Sequence, residues 1–409
     1  MRDNRGTRGT DASTAGLATP QLLTLALLAA ISPLATAMYL PALPAMAAEL
    51  GTDAPTLQLT VTAFMVGLAV GQVVLGPLSD RVGRRPVLLV GTSVCVVASL
   101  ACALAPGIHL LIAARLVQGL AGAAGIVLGR AIVADTVHGE AAARAFSLLM
   151  AIGAIAPVVA PLLGGPLAES SGWRGVFAAL TGLAALMLLA AIVLLPETLP
   201  AGRRRAREAA SGRNEAWAIV RRPRFIGYTV VLVFAYATLI AYVAASPFVL
   251  QEGFGLAPGA FALAFAANAV GLTLASFTSA RLVRRIPPRR LLAAGITAEA
   301  AAVLVLLGAA LARTLTAPLL LVLLWLSVAC LGFVMGNATS LAMDEAGRGA
   351  GSASALLGAS QFGLAALAAP VATSGTIGSP VAMTVTMAAC VSIAAIAVVV
   401  AGRGDSGNR

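Results

Sequence analysis

The chain has 409 residues, 59% of them hydrophobic and 11% charged, with a mean hydropathy of +0.95 and a formal net charge of +11. Water-soluble domains carry about 25% charged residues, so this composition excludes a soluble enzyme or a soluble nucleic-acid-binding domain. At ~20 apolar residues per crossing, it describes an all-α polytopic membrane protein with about twelve transmembrane helices. The lipid interior admits only helices or closed barrels, and the uninterrupted apolar runs lack the alternation of a barrel.

Residues 1–19 are polar, carry Arg2, Arg5 and Arg8, and lack the apolar core of a cleavable signal. Apolar windows follow at 20–43, 57–78, 87–106, 108–133, 146–168 and 175–196, the first long enough to remain as a signal anchor. A basic stretch with Pro196 and Pro200 near its start separates them from windows at 225–249, 258–280, 291–312, 317–341, 351–373 and 381–401. The expected organisation is a cytoplasmic N-terminal tail (1–19), an N-terminal six-helix bundle (20–196), a basic cytoplasmic linker (197–224), a C-terminal six-helix bundle (225–401) and a cytoplasmic tail (402–409).

All 27 residues counted as Lys or Arg are Arg. With the N-terminus inside, Arg174 and Arg313 fall in outer loops, Arg115 falls within a span, and the other Arg fall at inner loops and tails. That is the positive-inside pattern. The basic charge therefore serves orientation and lipid contact, and no nucleic-acid partner is expected. Cys95, Cys102, Cys330 and Cys390 lie in apolar windows without metal-ligand spacing and are expected to be small core residues. His109 and His138 stand apart, and no Walker loop or H-E-x-x-H pattern occurs. The sequence thus implies no metal, no cofactor and no enzyme.

The halves echo each other. Ser79, Arg81, Arg84 and Arg85 recur two hundred residues later as Ser279, Arg281, Arg284 and Arg285. Parallel six-helix repeats are the plan of one transporter class. The second copy has Ser276 and Ala280 where the first has Gly76 and Asp80, so the first is the better functional candidate.

Several short runs stand in order along the chain. Helix one ends Met38-Tyr39-Leu40-Pro41-Ala42-Leu43-Pro44. The turn after helix two reads Gly76-Pro77-Leu78-Ser79-Asp80-Arg81-Val82-Gly83-Arg84-Arg85-Pro86. Helix four carries Arg115-Leu116-Val117-Gln118-Gly119, and helix five carries Ala156-Pro157-Val158-Val159-Ala160-Pro161-Leu162-Leu163-Gly164-Gly165. Leu195-Pro196-Glu197-Thr198-Leu199 ends helix six. Ala245-Ser246-Pro247-Phe248-Val249-Leu250-Gln251-Glu252 ends helix seven, and residues 351–358 read Gly-Ser-Ala-Ser-Ala-Leu-Leu-Gly. In this order and spacing, across nearly the whole chain, they resemble the major facilitator superfamily. Within it they are similar to the twelve-helix drug:proton antiporters of the bicyclomycin and chloramphenicol resistance type.

The residues add physical expectations. Gly76 suits a close helix approach and Gly83 a tight reversal. Asp80 stands near the C-terminal end of helix two, where the helix dipole disfavours a negative charge, so it needs a partner. The resemblance implies a cytoplasmic gate of Asp80, Arg81, Arg84, Arg85 and Asp135, with Arg84 reaching Asp135 and Asp80 reaching the start of helix eleven. Arg115 is the one cation deep within a span, where an unpaired charge is costly. It is expected to face the central cavity, or else to snorkel to the outer interface, with Gln118 on the same helix face. The resemblance makes Arg115 part of a coupling or substrate network. It also implies an antiporter motif in helix five, carried by Gly153, Pro157, Pro161, Gly164 and Gly165, whose small residues permit close packing and whose prolines bend the helix.

The resembled exporters have an acid just before Met-Tyr-Leu-Pro of helix one, and this chain has Ala37. Glu299, an acid well inside helix nine, is a candidate for the coupling network by default, although an interfacial or locally paired carboxylate suits its place better. Without the helix-one acid, and with Arg115 expected in the cavity, neutral or anionic compounds are favoured over cations. Tyr39, Gln72, Tyr236, Tyr242, Asn268, Asn337 and Gln361 are candidates for the cavity wall or for interhelical hydrogen bonds. The expected function is proton-exchanging export of small amphipathic compounds, of chloramphenicol or bicyclomycin type, by alternating access. The alternative is a dedicated exporter or importer of one metabolite. The expected partners are a small-molecule substrate, protons and the lipid bilayer, with a monomer in the bacterial inner membrane.

Overall fold

The computed structural model describes residues 17–137, 139–199, 222–346, 350–376 and 378–403. Residues 1–16 and 404–409 of the tails, 200–221 of the linker, and His138 lie outside the described residues.

Twelve long helices account for the described chain. They begin with α1 (Thr19–Ala37), α2 (Ala54–Val82), α3 (Arg84–Ala103) and α4 (Ile108–Thr136). The next segment, Gly139–Leu194, is 56 residues long and leaves helical geometry at Gly172 (φ 65°, ψ −176°). A straight helix of that length would run ~84 Å, far beyond the ~30 Å hydrocarbon core. It doubles back: the Leu194 carbonyl accepts a bond from Gln21 at the start of α1 (3.0 Å), whereas Gly164 abuts Met38 at the end of α1. This gives α5 (139–171) and α6 (173–194). The second half holds α7 (Pro223–Pro247), α8 (Pro258–Leu282), α9 (Pro288–Leu311), α10 (Ala317–Ala346), α11 (Ala350–Ala372) and α12 (Val381–Arg403).

The helix ends follow from local chemistry. Pro41 and Pro44 lack backbone donors, so α1 gives way to a 3₁₀ turn at Leu40–Ala42 and a short helix at Leu43–Glu49. Asp53 caps α2 by accepting the Thr56 amide (2.9 Å), a bond that holds its carboxyl below the usual carboxylate range. Gly83 (φ 118°) makes the reversal between α2 and α3. The helices outrun the apolar windows where charged residues close them: α2 continues through Asp80 and Arg81 to Val82, and α4 continues to Thr136.

Small residues set the packing within the first half. A Cβ at Gly119 would collide with the Phe64 backbone of α2, and one at Gly164 with the Met38 carbonyl. Gly76 does not share this role, because a Cβ there would meet only Val127, at 3.7 Å, an ordinary contact. The close α2–α4 approach lies higher, at Gly67, Gly71 and Gly119. In the second half α7 packs on α12, and α9 lies against α10 and α12.

Two seams join the halves, α2 against α11 and α5 against α8. Hydrogen bonds between the halves collect at the end opposite the Arg-rich turns. Gln58 donates to the Ala244 carbonyl (2.8 Å), Thr62 to Ala366 (2.8 Å) and Gln251 to Pro41 (3.2 Å). The Gly259 amide donates to Glu169 (3.2 Å). The same end is braced within the first half, where Trp173 donates to Glu49 (2.7 Å) and Arg174 pairs with Glu49.

Candidate functional site

Between the halves, midway along the helices, lies a cavity of about 170 Å³. Ser32, Pro33, Thr36 and Ala37 of α1 form one wall, and Tyr236, Leu239, Ile240 and Val243 of α7 face them from the other half. Met65, Leu68, Ile126, Pro157, Phe265 and Phe362 complete it, with no charged side chain. Pro33 sits inside α1, where it frees a carbonyl one turn earlier and favours a bend. Tyr236 meets Phe362 edge-on (centroids 5.3 Å). Drug-sized sites occupy ~300–1,000 Å³, so the cavity in this conformation is smaller than such a site.

The structure corrects the place expected for Arg115. It is 0% exposed and stands inside the first half, absent from the cavity wall. Its Nη1 donates to the Ala35 carbonyl (3.0 Å) and to Gln118 Oε1 (2.7 Å), and Gln118 passes the chain on to Ser99 (2.7 Å). The guanidinium lies over Tyr39 (4.6 Å), Phe64 (4.3 Å) and Phe177 (5.8 Å). Desolvated cation–π contacts are worth about 2 kcal/mol, and here the rings replace a counter-ion. Arg115 neither snorkels nor faces the cavity; it holds the last turn of α1, two residues from Ala37. Its Nε and Nη2 have no hydrogen-bond partner among the described residues.

At the Arg-rich end Arg84 organises a cluster. It is 3% exposed, and its Nε donates to Asp135 (2.9 Å), its Nη2 to Asp80 (2.6 Å) and its Nη1 to Ser79 (2.5 Å). Asp80 thus finds its partner one turn away, and Arg84 meets the acid at the end of α4. Sequence reasoning gave Glu197 no role, yet its carboxylate accepts the Arg84 amide (3.0 Å) and the Leu199 amide (2.9 Å). It caps α3 from the far side of α6, at the positive end of the α3 dipole. Arg85 donates to the Ile192 carbonyl (2.9 Å), while Arg81 stays exposed. These contacts lie within the first half. The expected reach of Asp80 concerns the first turn of α11, where the side chains of residues 350–352 lie outside the described residues.

The helix-five motif runs along the α5–α8 seam. Gly164 touches α1, and a Cβ at Gly165 would come within 3.3 Å of Ala262 of α8. Pro157 and Gly153 line cavities, and Pro161 lies within the same helix. Among the polar candidates, only Tyr236 lines the central cavity. Tyr39 is buried against Thr60 (3.3 Å) and Arg115. Tyr242 stacks on Phe265 and accepts from Asn268 (2.7 Å). Asn337 joins α10 to α8 through Ser279 (2.8 Å). Gln72 abuts Gly358 across the α2–α11 seam, and Gln361 is half-buried outside the cavity wall.

Glu299 is the second correction. It is not locally paired among the described residues: it is 0% exposed, and neither carboxyl oxygen has a hydrogen-bond partner. It lies in α9, within a helix face packed on α10 and α12, and takes no part in the cavity wall or the Arg115 cluster. Periodicity could assign Glu299 to a helix but not to a neighbour, which is why its isolation was not readable.

Two six-helix halves with a cavity at their seam are the architecture of a membrane transporter. The family model of the Major Facilitator Superfamily matches residues 25–370, and the chain belongs to that family. It is 36% identical over 349 residues to an "Uncharacterized MFS-type transporter YdgK" of Bacillus subtilis (strain 168), covering 85% of this chain and 87% of that one. It is 30% identical to "Multidrug resistance protein MdtL" of Klebsiella pneumoniae (strain 342), covering 79% and 81%. It is 27% identical to "Bicyclomycin resistance protein homolog" of Haemophilus influenzae, covering 92% and 94%. The similarity to drug-resistance exporters read from the motifs therefore holds. The fold matches that of a bacterial homologue of the human lysosomal transporter Spinster, solved inward-facing and occupied, with a TM-score of 0.73 at 17% identity over 94% of this chain and 96% of that one. The chain is thus a multi-pass transporter of small molecules and not an enzyme.

Proposed function

We propose that this protein exports small, neutral, amphipathic compounds of chloramphenicol or bicyclomycin type in exchange for protons, by alternating access in a bacterial inner membrane. The observation that carries this is the uncharged wall of the central cavity, with Ala37 in the helix-one place where the resembled exporters have an acid. A cation held there would lack a counter-charge in a low-dielectric site. Because Arg115 is spent on α1 and three rings, an anion gains nothing either. The names of the relatives, a multidrug resistance protein and a bicyclomycin resistance protein homolog, support the same substrate class.

In this scheme the Arg-rich turns, both tails and the linker are cytoplasmic, and the protein works as a monomer with bundles 20–196 and 225–401 rocking about the cavity. Arg84, Asp80, Asp135, Arg81 and Arg85 set the cytoplasmic gate. Arg115 and Gln118 position the end of α1 beside the cavity. With no acid in the cavity wall, Glu299 takes the proton, and the packing of α9 on α10 and α12 passes its charge state to the second half. The test is chloramphenicol efflux from cells expressing the wild type, Glu299→Gln or Arg115→Ala, with and without a protonophore. Protonophore-sensitive efflux in the wild type, lost in Glu299→Gln at equal expression, is the expected result. Efflux indifferent to the protonophore overturns proton exchange, and wild-type coupling in Glu299→Gln removes Glu299 from it.

A further inference from the structure

The wall of the central cavity offers an amphipathic compound little to bond with. Two of its hydroxyls are spent on backbone: Ser32 donates to the Gly122 carbonyl (3.1 Å) and Thr36 to the Ser32 carbonyl (2.8 Å). The Tyr236 hydroxyl is left uncommitted among the described residues. A compound with polar groups at one end needs a further donor at the rim.

Arg130 stands at that rim. Ile126 of α4 belongs to the cavity wall, and Arg130 follows it by one helical turn, about 6 Å nearer the Arg-rich end. Arg130 is exposed, and so is Ala134 one turn beyond. This exposure is not toward lipid. Leu110 and Val117, 49% and 45% exposed on the outer side of α4, lie roughly 150° around the helix from Arg130 at 3.6 residues per turn. A guanidinium turned to hydrocarbon is costly, whereas the gap between the halves opens to water at this end, because the bonds that tie them lie at the other. Arg84 and Arg115 are committed to neighbours. Arg130 has no ion pair or hydrogen bond among the described residues, so its five N–H donors are uncommitted there.

We propose that Arg130 is the polar anchor of the substrate site: its guanidinium donates to the neutral oxygen acceptors (nitro, hydroxyl or amide) of an amphipathic compound whose apolar part lies in the central cavity against Tyr236 and Phe362. The proposal rests on export of neutral amphipathic compounds, and it adds the residue that reads their polar end. The planar fork of an arginine can hold two acceptors of one group, which a lysine ammonium does less well. The same fixed charge repels an organic cation at the rim, before it reaches the uncharged wall.

The test is equilibrium binding of radiolabelled chloramphenicol to the detergent-solubilised protein, as wild type, Arg130→Gln and Arg130→Lys. Arg130→Gln should weaken binding about tenfold, the scale of one hydrogen bond from a charged donor, and Arg130→Lys should restore part of the loss. The unfolding temperature should not change in either variant, because Arg130 holds no other described residue. A second arm places the side chain. A charged methanethiosulfonate reagent, applied to both faces of ruptured membranes, should modify Arg130→Cys, and saturating chloramphenicol should block most of that reaction. The native cysteines are buried, which keeps the background low. Wild-type affinity in Arg130→Gln overturns the anchor, and so does labelling of Arg130→Cys that chloramphenicol leaves unchanged. Absence of labelling by the charged reagent would put the side chain away from water and overturn the proposal as well. Neither arm needs a proton gradient, so failure here is distinguishable from failure of proton-driven export. A wild type that binds no chloramphenicol overturns the substrate class and the anchor together.

Discussion

Ala37 and Tyr236 line one cavity from opposite halves of the protein. The small, uncharged residue stands at the end of α1, and the phenol stands on α7 against Phe362. Under the proposed function, that pair sets the charge selectivity. Ala37→Asp should let the cavity hold an organic cation, raising efflux of a compound such as ethidium about tenfold, equivalent to ~1.4 kcal/mol of binding. Neutral substrate efflux should not rise. If ethidium efflux stays at the wild-type level while the variant is present in the membrane, the cavity is not where charge is read.

Arg84 and Asp135 are both almost completely buried, with side chains 4% exposed. Removing one partner of a buried pair costs up to about 3–5 kcal/mol, and less for Asp135→Ala, because Arg84 keeps its contacts with Asp80 and Ser79. Arg84→Ala and Asp135→Ala should each lower the unfolding temperature of the detergent-solubilised protein, the first more strongly. The double variant should lose less than the two effects combined. Additive losses would show that the pair is not coupled.

Two glycines of the helix-five motif should behave in opposite ways. Gly164→Ala drives a Cβ into the Met38 carbonyl and should destabilise by about 1–3 kcal/mol, as overpacking does. Gly153→Ala meets open space and should be neutral or stabilising by ~0.5 kcal/mol through backbone entropy. Thermal unfolding of both variants checks this, and similar losses at the two sites would remove the distinction.

Asp53 gives a pH dependence outside the membrane. Its bond from Thr56 holds the folded carboxyl below the usual carboxylate range, whereas the unfolded value is ~3.9. A depressed folded value means that its stabilising effect is complete above pH ~4 and fades as pH falls through the lower folded value. Asp53→Asn retains a side-chain acceptor for the cap and should flatten that part of the stability profile between pH 2.5 and 5. An unchanged profile would show that the cap does not titrate.

Much of this architecture is legible in the residues because lipid leaves few choices. The twelve windows, the reversal at Gly83 and the Arg84–Asp135 pair could be read from hydropathy and from a motif whose partners are close in the fold. Arg115 could not. A span in a bundle has faces toward lipid, toward sister helices and toward the cavity, and hydropathy does not tell the last two apart. What decides its place is the cage of Tyr39, Phe64 and Phe177, drawn from the turn after α1 and from two other helices. The Glu197 cap escaped for a similar reason, since it joins residues 113 positions apart. Glu299 was recognisable as unusual, but its isolation depends on what α10 and α12 place around it.

The most direct test of proton-driven export is uptake of radiolabelled chloramphenicol into liposomes containing the purified protein, with an imposed pH gradient. Inside-acidic liposomes should accumulate the compound above its equilibrium level, and a protonophore should collapse the accumulation. Uptake that is the same with and without the gradient would contradict the account.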